Sequence, residues 1–119
     1  MRVYIAHSKT MDYMKDLYKP SKKYGNMNKL EMFFPHENNI ENYNTREFYK
    51  TFDCIIAEVS YPSTGLGIEL GWAYDDKIPI YCLHKKGKKV SSSIKVITDK
   101  IYEYSNEFEM IEIIDKITH

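Results

Sequence analysis

Short apolar runs alternate along this chain with segments in which apolar residues recur every three or four positions. The first pattern predicts β-strands and the second predicts amphipathic helices. The predicted strands are Arg2–Ala6, Leu30–Phe34, Cys54–Val59, Ile78–Leu83 and Ile101–Tyr104. The predicted helices cover Thr10 to Pro20, Thr45 to Phe52, Gly65 to Asp76, Ser91 to Ile97 and the segment after Asn106. This alternation predicts one α/β domain over residues 1–119, with an open parallel sheet of about five strands between two layers of helices.

Breakers and caps set the expected boundaries of these elements. Pro20 is expected to end the first helix, and the polar segment 22–29 is expected to be a loop. Asn44 and Glu47 have the spacing of a capping box at the start of the second helix. The last helix is expected to bury four apolar residues, which are Phe108, Ile111, Ile114 and Ile117.

Composition narrows the possible functions. The 119 residues include 17 basic and 17 acidic side chains, so the formal net charge is zero. Only Arg2 and Arg46 are arginine, whereas base recognition depends strongly on arginine, so no nucleic-acid partner is expected. The apolar runs are too short to span a bilayer and no signal peptide is recognised, so we expect a cytoplasmic protein without membrane contact. Cys54 and Cys82 lie inside apolar runs and are expected to be buried free thiols, and no cofactor or metal ion is expected.

The loop after the third strand has the composition of an anion-binding turn. Ligands of open parallel sheets bind beyond the carboxyl ends of the strands. There Ser63, Thr64, Gly65 and Gly67 lead directly into a predicted helix, whose unpaired N–H groups and positive dipole end favour an anion. The same residues could equally form an ordinary helix cap, and the loop sequence alone leaves both interpretations open.

Glu69 supplies candidate chemistry beside this turn. It is expected in the first turn or so of the helix, where the dipole favours the ionised carboxylate. An ionised carboxylate next to a phosphate-binding turn is placed to attack the anomeric carbon of a nucleotide sugar. The alternative is that Glu69 only stabilises the start of the helix, which is the commoner role of an acidic residue there.

A longer pattern surrounds Glu69. Residues 53–73 match D-x-x-x-A-E-V-x-x-P-S-x-G-x-G-x-E-L-G-x-A at every specified position. With Val3–Ala6 and Pro35-His36 upstream, this stretch resembles the nucleoside 2-deoxyribosyltransferase superfamily, and within it the Rcl-like 2′-deoxynucleoside 5′-monophosphate N-glycosidases. The resemblance implies a flavodoxin-like sheet and an enzyme that hydrolyses or transfers the N-glycosidic bond of a (deoxy)nucleoside 5′-monophosphate, releasing free base. It also implies that Glu69 is the nucleophile.

The resemblance implies roles for further residues. Tyr4 would lie beneath the sugar and contact the carboxylate of Glu69. The substrate phosphate would be held by side chains and amides of Ser8, Ser63, Gly65 and Gly67. Because related transferases have an acid at the position of Ser63, a serine there points to monophosphate substrates. Ser91 matches a serine that contacts the phosphate across a dimer, so a homodimer with shared sites is implied.

One departure from the superfamily pattern concerns proton transfer. The second acid of the superfamily is replaced here by Thr45, which cannot supply a proton at physiological pH. His36 matches a superfamily histidine near the base and has an ordinary pKa suited to proton transfer. His36 is therefore the candidate replacement, and Glu47 is the other.

A second departure concerns the phosphate. His7 and Thr10 stand where the glycosidases have glycine and arginine, so His7 or Lys9 is the candidate cation for the phosphate. These differences keep a second hypothesis open, in which the domain is a catalytically weak or inactive nucleotide-binding or sensor module. Release of free base would distinguish the enzyme from the module.

Overall fold

A computed structural model describes residues 1–37 and 46–119. The chain alternates between strands and helices. The strands are β1 (Arg2–His7), β2 (Glu31–Phe33), β3 (Cys54–Glu58), β4 (Ile80–Lys85) and β5 (Ile101–Tyr104). The α-helices are α1 (Lys19–Met27), α2 (Arg46–Tyr49), α3 (Thr64–Asp75), α4 (Ser92–Ile97) and α5 (Glu107–Thr118), and a π-helical turn (Met14–Tyr18) runs directly into α1.

The five strands form one parallel sheet in the order β2-β1-β3-β4-β5, which confirms the predicted fold class. The register places Tyr4 of β1 between Phe33 of β2 and Ile55 of β3. The strand order reverses between β1 and β3, and a crevice forms at such a switch point beyond the carboxyl ends of the strands. The topology therefore predicts a binding site between the ends of β1 and β3.

Helices cover both faces of the sheet, and each face has its own hydrophobic core. One core contains Tyr4, Ile55 and Leu70 and lies beneath α2, α3 and α4. The other contains Ile56 and Met110 and lies beneath α1 and α5. All five residues of β3 are buried, as expected for a parallel strand that is covered on both sides.

The two cysteines are buried free thiols, as predicted. Burial raises the pKa of Cys54 to about 11 and that of Cys82 to about 12. A thiol that stays protonated at neutral pH is a poor nucleophile and a poor metal ligand, so both side chains serve the core.

The first helical region differs from the prediction. Pro20 does not end the helix but is the second residue of α1, directly after the π-helical turn. The segment 22–29, predicted as a loop, continues α1 as far as Met27. Tyr24 and Gly25 are buried there, and a Cβ on Gly25 would lie only 3.1 Å from the sulfur of Met32. Packing against β2 therefore holds a polar sequence in a helix.

The last helix begins at the predicted cap, and three of its four predicted inward residues pack against the core, namely Ile111, Ile114 and Ile117. The Asn106 Oδ1 accepts a hydrogen bond of 2.9 Å from the Glu109 amide. The most buried residues are Met110 and Ile114, whereas Phe108 is 73% exposed, so its predicted inward position is wrong. Phe108 precedes Met110 by two positions, which turns it about 200° away from the buried stripe.

The second helix is described only from Arg46 onward. The predicted cap residue Asn44 and the position Thr45 lie outside the described residues. Glu47 is exposed and pairs with Lys50 at 3.2 Å. None of the helices in residues 1–37 and 46–119 has the length and apolarity needed to cross a bilayer.

Candidate functional site

A cavity of about 370 Å³ lies where the carboxyl ends of β1 and β3 meet the start of α3. This is the switch point of the sheet. Seven residues that the sequence suggested for the site line it, namely His7, Ser8, Lys9, His36, Ser63, Gly65 and Glu69. Gly67 and Ser91 line a neighbouring cavity that shares only Pro62, Ser63 and Leu66 with the first.

The first residues of α3 bear on both interpretations of the preceding loop, the helix cap and the anion-binding turn. Ser63 is the N-cap, and its hydroxyl accepts from the Leu66 amide at 3.5 Å, at the long end of a hydrogen bond. The same serine lines the cavity. The Gly67 amide donates to the Ser63 carbonyl at 3.0 Å, so the helix already uses the amide that was expected to hold phosphate. Within the described residues, the amides of Thr64 and Gly65 make no such bond and are the donors left at this end of α3.

Glu69 lies in the wall of the cavity but not in the environment that the sequence suggested. It follows the N-cap Ser63 by six residues and therefore occupies the second turn, beyond the strongest influence of the helix dipole. Burial raises the pKa of Glu69 to about 7, and a hydrogen bond with Tyr49 and the charge of Lys9 lower it by less. The expected preference for the ionised form is therefore wrong. A carboxyl group that titrates near neutral pH in a cavity is typical of a functional acid or base.

The hydroxyl of Tyr4 contacts a tyrosine that the sequence analysis missed. Tyr4 is fully buried in β1, and its hydroxyl oxygen lies 2.9 Å from that of Tyr49. Tyr49, on α2, is near enough to Glu69 to influence the pKa of its carboxyl group. Among the described residues no direct hydrogen bond joins Tyr4 and Glu69. No pattern in the sequence singles out Tyr49, because a tyrosine among the aromatic residues of α2 resembles a core residue.

His7 is buried and neutral. Its Nδ1 donates to the Ser8 carbonyl at 2.9 Å, so its Nε2 accepts from the Tyr18 hydroxyl at 2.6 Å. Burial lowers the pKa of His7 to about 4. The suggestion that His7 supplies a positive charge is therefore wrong. Lys9 is exposed at the same cavity and remains the candidate cation.

His36 stands beside His7 in the cavity wall, with ring centroids 5.1 Å apart. Its backbone amide donates to the Tyr18 hydroxyl at 3.0 Å, which ties the loop after β2 to the π-helical turn. Burial, and secondly the charge of Lys9, lower the pKa of His36. The neutral imidazole is therefore favoured at neutral pH.

Ser8 ends β1 with a compact polar turn. The side chain is 1% exposed, and its hydroxyl lies 2.8 Å from the Thr10 hydroxyl. The Thr10 amide donates to the same Ser8 oxygen at 3.2 Å. The turn therefore places hydroxyl groups in the cavity wall, and Thr10 stands where the resemblance to the glycosidases implies an arginine.

Ser91 is the N-cap of α4. Its hydroxyl accepts from the Ser93 amide at 3.3 Å, and the side chain is exposed. The helix-cap interpretation thus holds for a single copy of the chain. The suggested contact with a partner's site stays a prediction.

Glu58, the acid of the superfamily pattern that lies on β3, is buried among its own hydrogen-bond partners. It is 1% exposed and accepts hydrogen bonds from the Ser60 amide at 2.6 Å and from the Tyr104 hydroxyl. It therefore stabilises the end of the sheet, and Glu69 is the carboxylate that faces the cavity. Residues 1–37 and 46–119 contain no cluster of three His, Cys, Asp or Glu placed to hold a metal ion.

Sequence comparison finds relatives over part of the chain. No family model matches the chain. A protein of Methanosarcina mazei named "Putative 2′-deoxynucleoside 5′-phosphate N-hydrolase 1" is 45% identical over 51 residues, which are 43% of this chain and 32% of that protein. A protein of the same name in Nematostella vectensis is 44% identical over 45 residues, which are 36% of this chain and 31% of that protein. The matches thus span about a third of the length of these relatives.

Structure comparison extends the likeness to the whole fold. The CMP N-glycosidase BcmB of Clostridium botulinum superposes with a TM-score of 0.71 at 21% identity, covering 97% of this chain and 99% of that one. The 2-deoxyribosyltransferase of Bacillus psychrosaccharolyticus superposes with a TM-score of 0.60 at 18% identity, covering 93% and 90%. At these identities the likeness establishes the fold. Together with the sequence matches, it confirms the predicted resemblance to the nucleoside 2-deoxyribosyltransferase superfamily.

Proposed function

We propose that this chain cleaves the N-glycosidic bond of a nucleoside 5′-monophosphate, with Glu69 as the nucleophile. The observation that carries the proposal is a carboxyl group with a pKa of about 7 in the same cavity as Ser8, Lys9 and Ser63. The partial sequence similarity to proteins named N-hydrolases and the fold shared with a CMP N-glycosidase support the reaction class.

The reaction would proceed through a glycosyl ester. An ionised oxygen of Glu69 attacks the anomeric carbon while the bond from that carbon to the base nitrogen breaks, and the bonding electrons leave with the base. The departing nitrogen takes up a proton. Water then attacks the anomeric carbon, which releases the sugar phosphate and restores the Glu69 carboxylate, with the proton from water passing to solvent. A second base in place of water would give transfer instead of hydrolysis.

The phosphate would bind at the start of α3. Lys9 supplies positive charge, the hydroxyls of Ser8 and Ser63 supply donors, and the amides of Thr64 and Gly65 are free to donate. Helix N-termini favour anions because their N–H groups are unpaired and because the positive end of the helix dipole lies there. The phosphate would thereby place the sugar next to Glu69.

His36 would supply the proton for the leaving base. It lines the cavity with Glu69, and an imidazole is the side chain best suited to proton transfer near neutral pH. Because its pKa is lowered, only a minor fraction of His36 is protonated when Glu69 is ionised. At any pH, only a minority of the enzyme molecules would then have Glu69 ionised and His36 protonated at the same time.

A panel of nucleosides, deoxynucleosides and their 5′-monophosphates, followed for free base by chromatography, tests the proposal. We expect base release from monophosphates, and a loss of roughly three orders of magnitude or more in Glu69→Gln. Glu112→Gln, which changes an exposed carboxylate on α5, is the matched control and should keep full activity. If nucleotides bind in calorimetry but no base is released, the nucleotide-binding module is the better description.

A further inference from the structure

One buried hydroxyl group joins the end of β1 to the loop after β2. Tyr18 is the last residue of the π-helical turn and is 1% exposed. Its hydroxyl oxygen lies 2.6 Å from Nε2 of His7 and accepts from the His36 amide at 3.0 Å. Both partners line the cavity that contains Glu69. Because π-helical turns are rare and are frequent at functional sites, one that contacts two residues of the cavity wall is a candidate for a functional role.

The direction of each hydrogen bond follows from the groups involved. A carbonyl oxygen only accepts, so Nδ1 of His7 carries the proton in its 2.9 Å bond to the Ser8 carbonyl. Burial lowers the pKa of His7 to about 4, so the ring is neutral and Nε2 accepts from Tyr18. The Tyr18 hydroxyl thus donates its one proton to His7 and accepts from the His36 amide. Its removal would take a bond from both partners.

Aromatic rings hold the imidazole of His36 at the same place. This ring lies against His7, with centroids 5.1 Å apart, and against Tyr13 at 5.4 Å. His7 and Tyr13 are themselves stacked, with centroids 4.5 Å apart and 21° between the ring planes. Within residues 1–37 and 46–119, the ring nitrogens of His36 make no hydrogen bond. Packing therefore holds the ring, and its nitrogens are available to a ligand of the cavity.

A second contact ties the same loop to α1. The Lys22 Nζ lies 2.6 Å from a carboxylate oxygen of Glu37, the residue after His36. The Lys22 side chain is exposed, and ion pairs in contact with solvent contribute little to stability. The buried bond to Tyr18 is therefore the stronger constraint on the backbone of His36.

We infer that Tyr18, together with His7, positions the imidazole of His36 for proton transfer to the leaving base. The inference rests on the proposed function, in which His36 supplies that proton. Tyr18 is too deeply buried to touch a substrate, so it acts only through the residues that it bonds. His7 stands where the resemblance to the glycosidases implies a glycine, which has no side chain to accept this bond. The pair is therefore not part of the superfamily pattern.

Tyr18→Phe tests the inference because it removes the hydroxyl and keeps the ring. We expect kcat for base release to fall about ten- to a hundredfold with little change in KM, since a small displacement of a catalytic group costs that much. The same substitution made in His36→Gln should lower kcat by less than about twofold, because no imidazole is left to position. A merely structural role would lower kcat alike in both backgrounds.

Tyr24→Phe is the matched control. Tyr24 belongs to the same hydrophobic core as Tyr18, and its hydroxyl donates to Asp115, on α5, at 2.5 Å. Its removal should destabilise the fold comparably and leave kcat unchanged in both backgrounds. Amide hydrogen exchange reports the bond itself. The His36 amide should be protected in wild type and in Tyr24→Phe, and should exchange roughly tenfold faster or more in Tyr18→Phe.

Equal losses of kcat in the two backgrounds would overturn the inference and leave the proposed function intact. A His36 amide that exchanges at the same rate with and without the hydroxyl would also overturn it. If Tyr18→Phe does not fold, His7→Phe replaces it, because it removes the acceptor and keeps an aromatic ring against His36. Its loss of kcat should disappear in His36→Gln, and an equal loss in both backgrounds would again contradict the inference. If the wild-type chain releases no base, the proposed function fails and the positioning role fails with it, even where hydrogen exchange confirms the bond.

Discussion

Burial determines the charge of individual side chains in the cavity. It raises the pKa of Glu69 to about 7 and lowers that of His7 to about 4, so burial favours the neutral form of both side chains. Lys9 is exposed and lines the same cavity. A negatively charged substrate would therefore meet one exposed cation and a carboxyl group that is only partly ionised at neutral pH.

Glu69→Gln should stabilise the fold at high pH. The pKa of Glu69 is 4.5 as a reference and about 7 in the folded chain, so between these values the folded state binds more protons than the unfolded state. Stability therefore falls as the pH rises through this window, and the neutral amide avoids the loss. We expect a gain of up to about 3 kcal/mol in the free energy of unfolding at pH ~8 and almost none near pH ~4.

Urea denaturation at both pH values measures this difference. Glu112→Gln, an exposed change on α5, should show no pH-dependent gain. If Glu69→Gln is no more stable than wild type at the higher pH, then Glu69 does not have the raised pKa.

The role of His36 should be visible in a ratio of rates. Glu69 and the substrate ionise alike in the wild type and in His36→Gln, so their effects on kcat/KM cancel when the two are divided. The ratio then follows the protonated fraction of His36. It should fall about tenfold per pH unit above the lowered pKa of His36, from an acid-side value of roughly 10²–10⁴. A ratio that stays constant between pH ~5 and ~9 would remove His36 as the proton donor.

Helices and strands with strong local sequence patterns can be predicted from the sequence, whereas contacts between distant segments cannot. β3 and α3 carry a continuous apolar run and a capped helical stripe, and both form where the sequence indicates. From the sequence alone, Pro20 is compatible with the start of a helix and with its end. The packing of α1 on β2 decides between these two positions. The raised pKa of Glu69 comes from burial, which depends on how distant segments pack together and is contained in no local pattern.

The N-cap of α3 should set the substrate class. Aspartate caps helices as well as serine does, so Ser63→Asp should keep α3 and add a negative charge to the cavity wall. We expect KM for a nucleoside 5′-monophosphate to rise by about ten- to a hundredfold, whereas KM for the free nucleoside should not rise. Asn106→Asp makes the corresponding change at the cap of α5, outside this cavity, and should leave the preference unchanged. Steady-state kinetics on the paired substrates measure both, and an unaltered preference in Ser63→Asp would place the phosphate elsewhere.

Both helical layers of the molecule expose large apolar side chains, and those of one layer lie beside the candidate site. The layer of α3 and α4 exposes Ile68, Tyr74 and Val96, which are 50%, 54% and 76% exposed. The cavity that contains Ser91 opens on this layer, next to the cavity of Glu69, with Ser63 in the wall between them. A second copy docked on α3 and α4 would cover these apolar side chains and bring its own Ser91 region close to the first copy's site.

We therefore expect a homodimer that associates through α3 and α4. In sedimentation at micromolar concentration, Val96→Glu should shift the wild-type dimer to monomer. Phe108→Glu should not, because Phe108 is equally exposed at 73% but lies on α5, in the opposite layer. A monomeric wild type would contradict the expectation.

Sharing of the site can be tested by mixing two defective chains. Glu69→Gln lacks the nucleophile, and Ser91→Gly removes the side chain at a cap where glycine costs the helix little. If Ser91 acts in the partner's site, the mixed dimer contains one complete site, made of Glu69 from one chain and Ser91 from the other. The mixture should then release base faster than the sum of the two separate proteins. Rates that only add would show that Ser91 serves its own chain, as the cap of α4, and that each Glu69 works without help from a second copy.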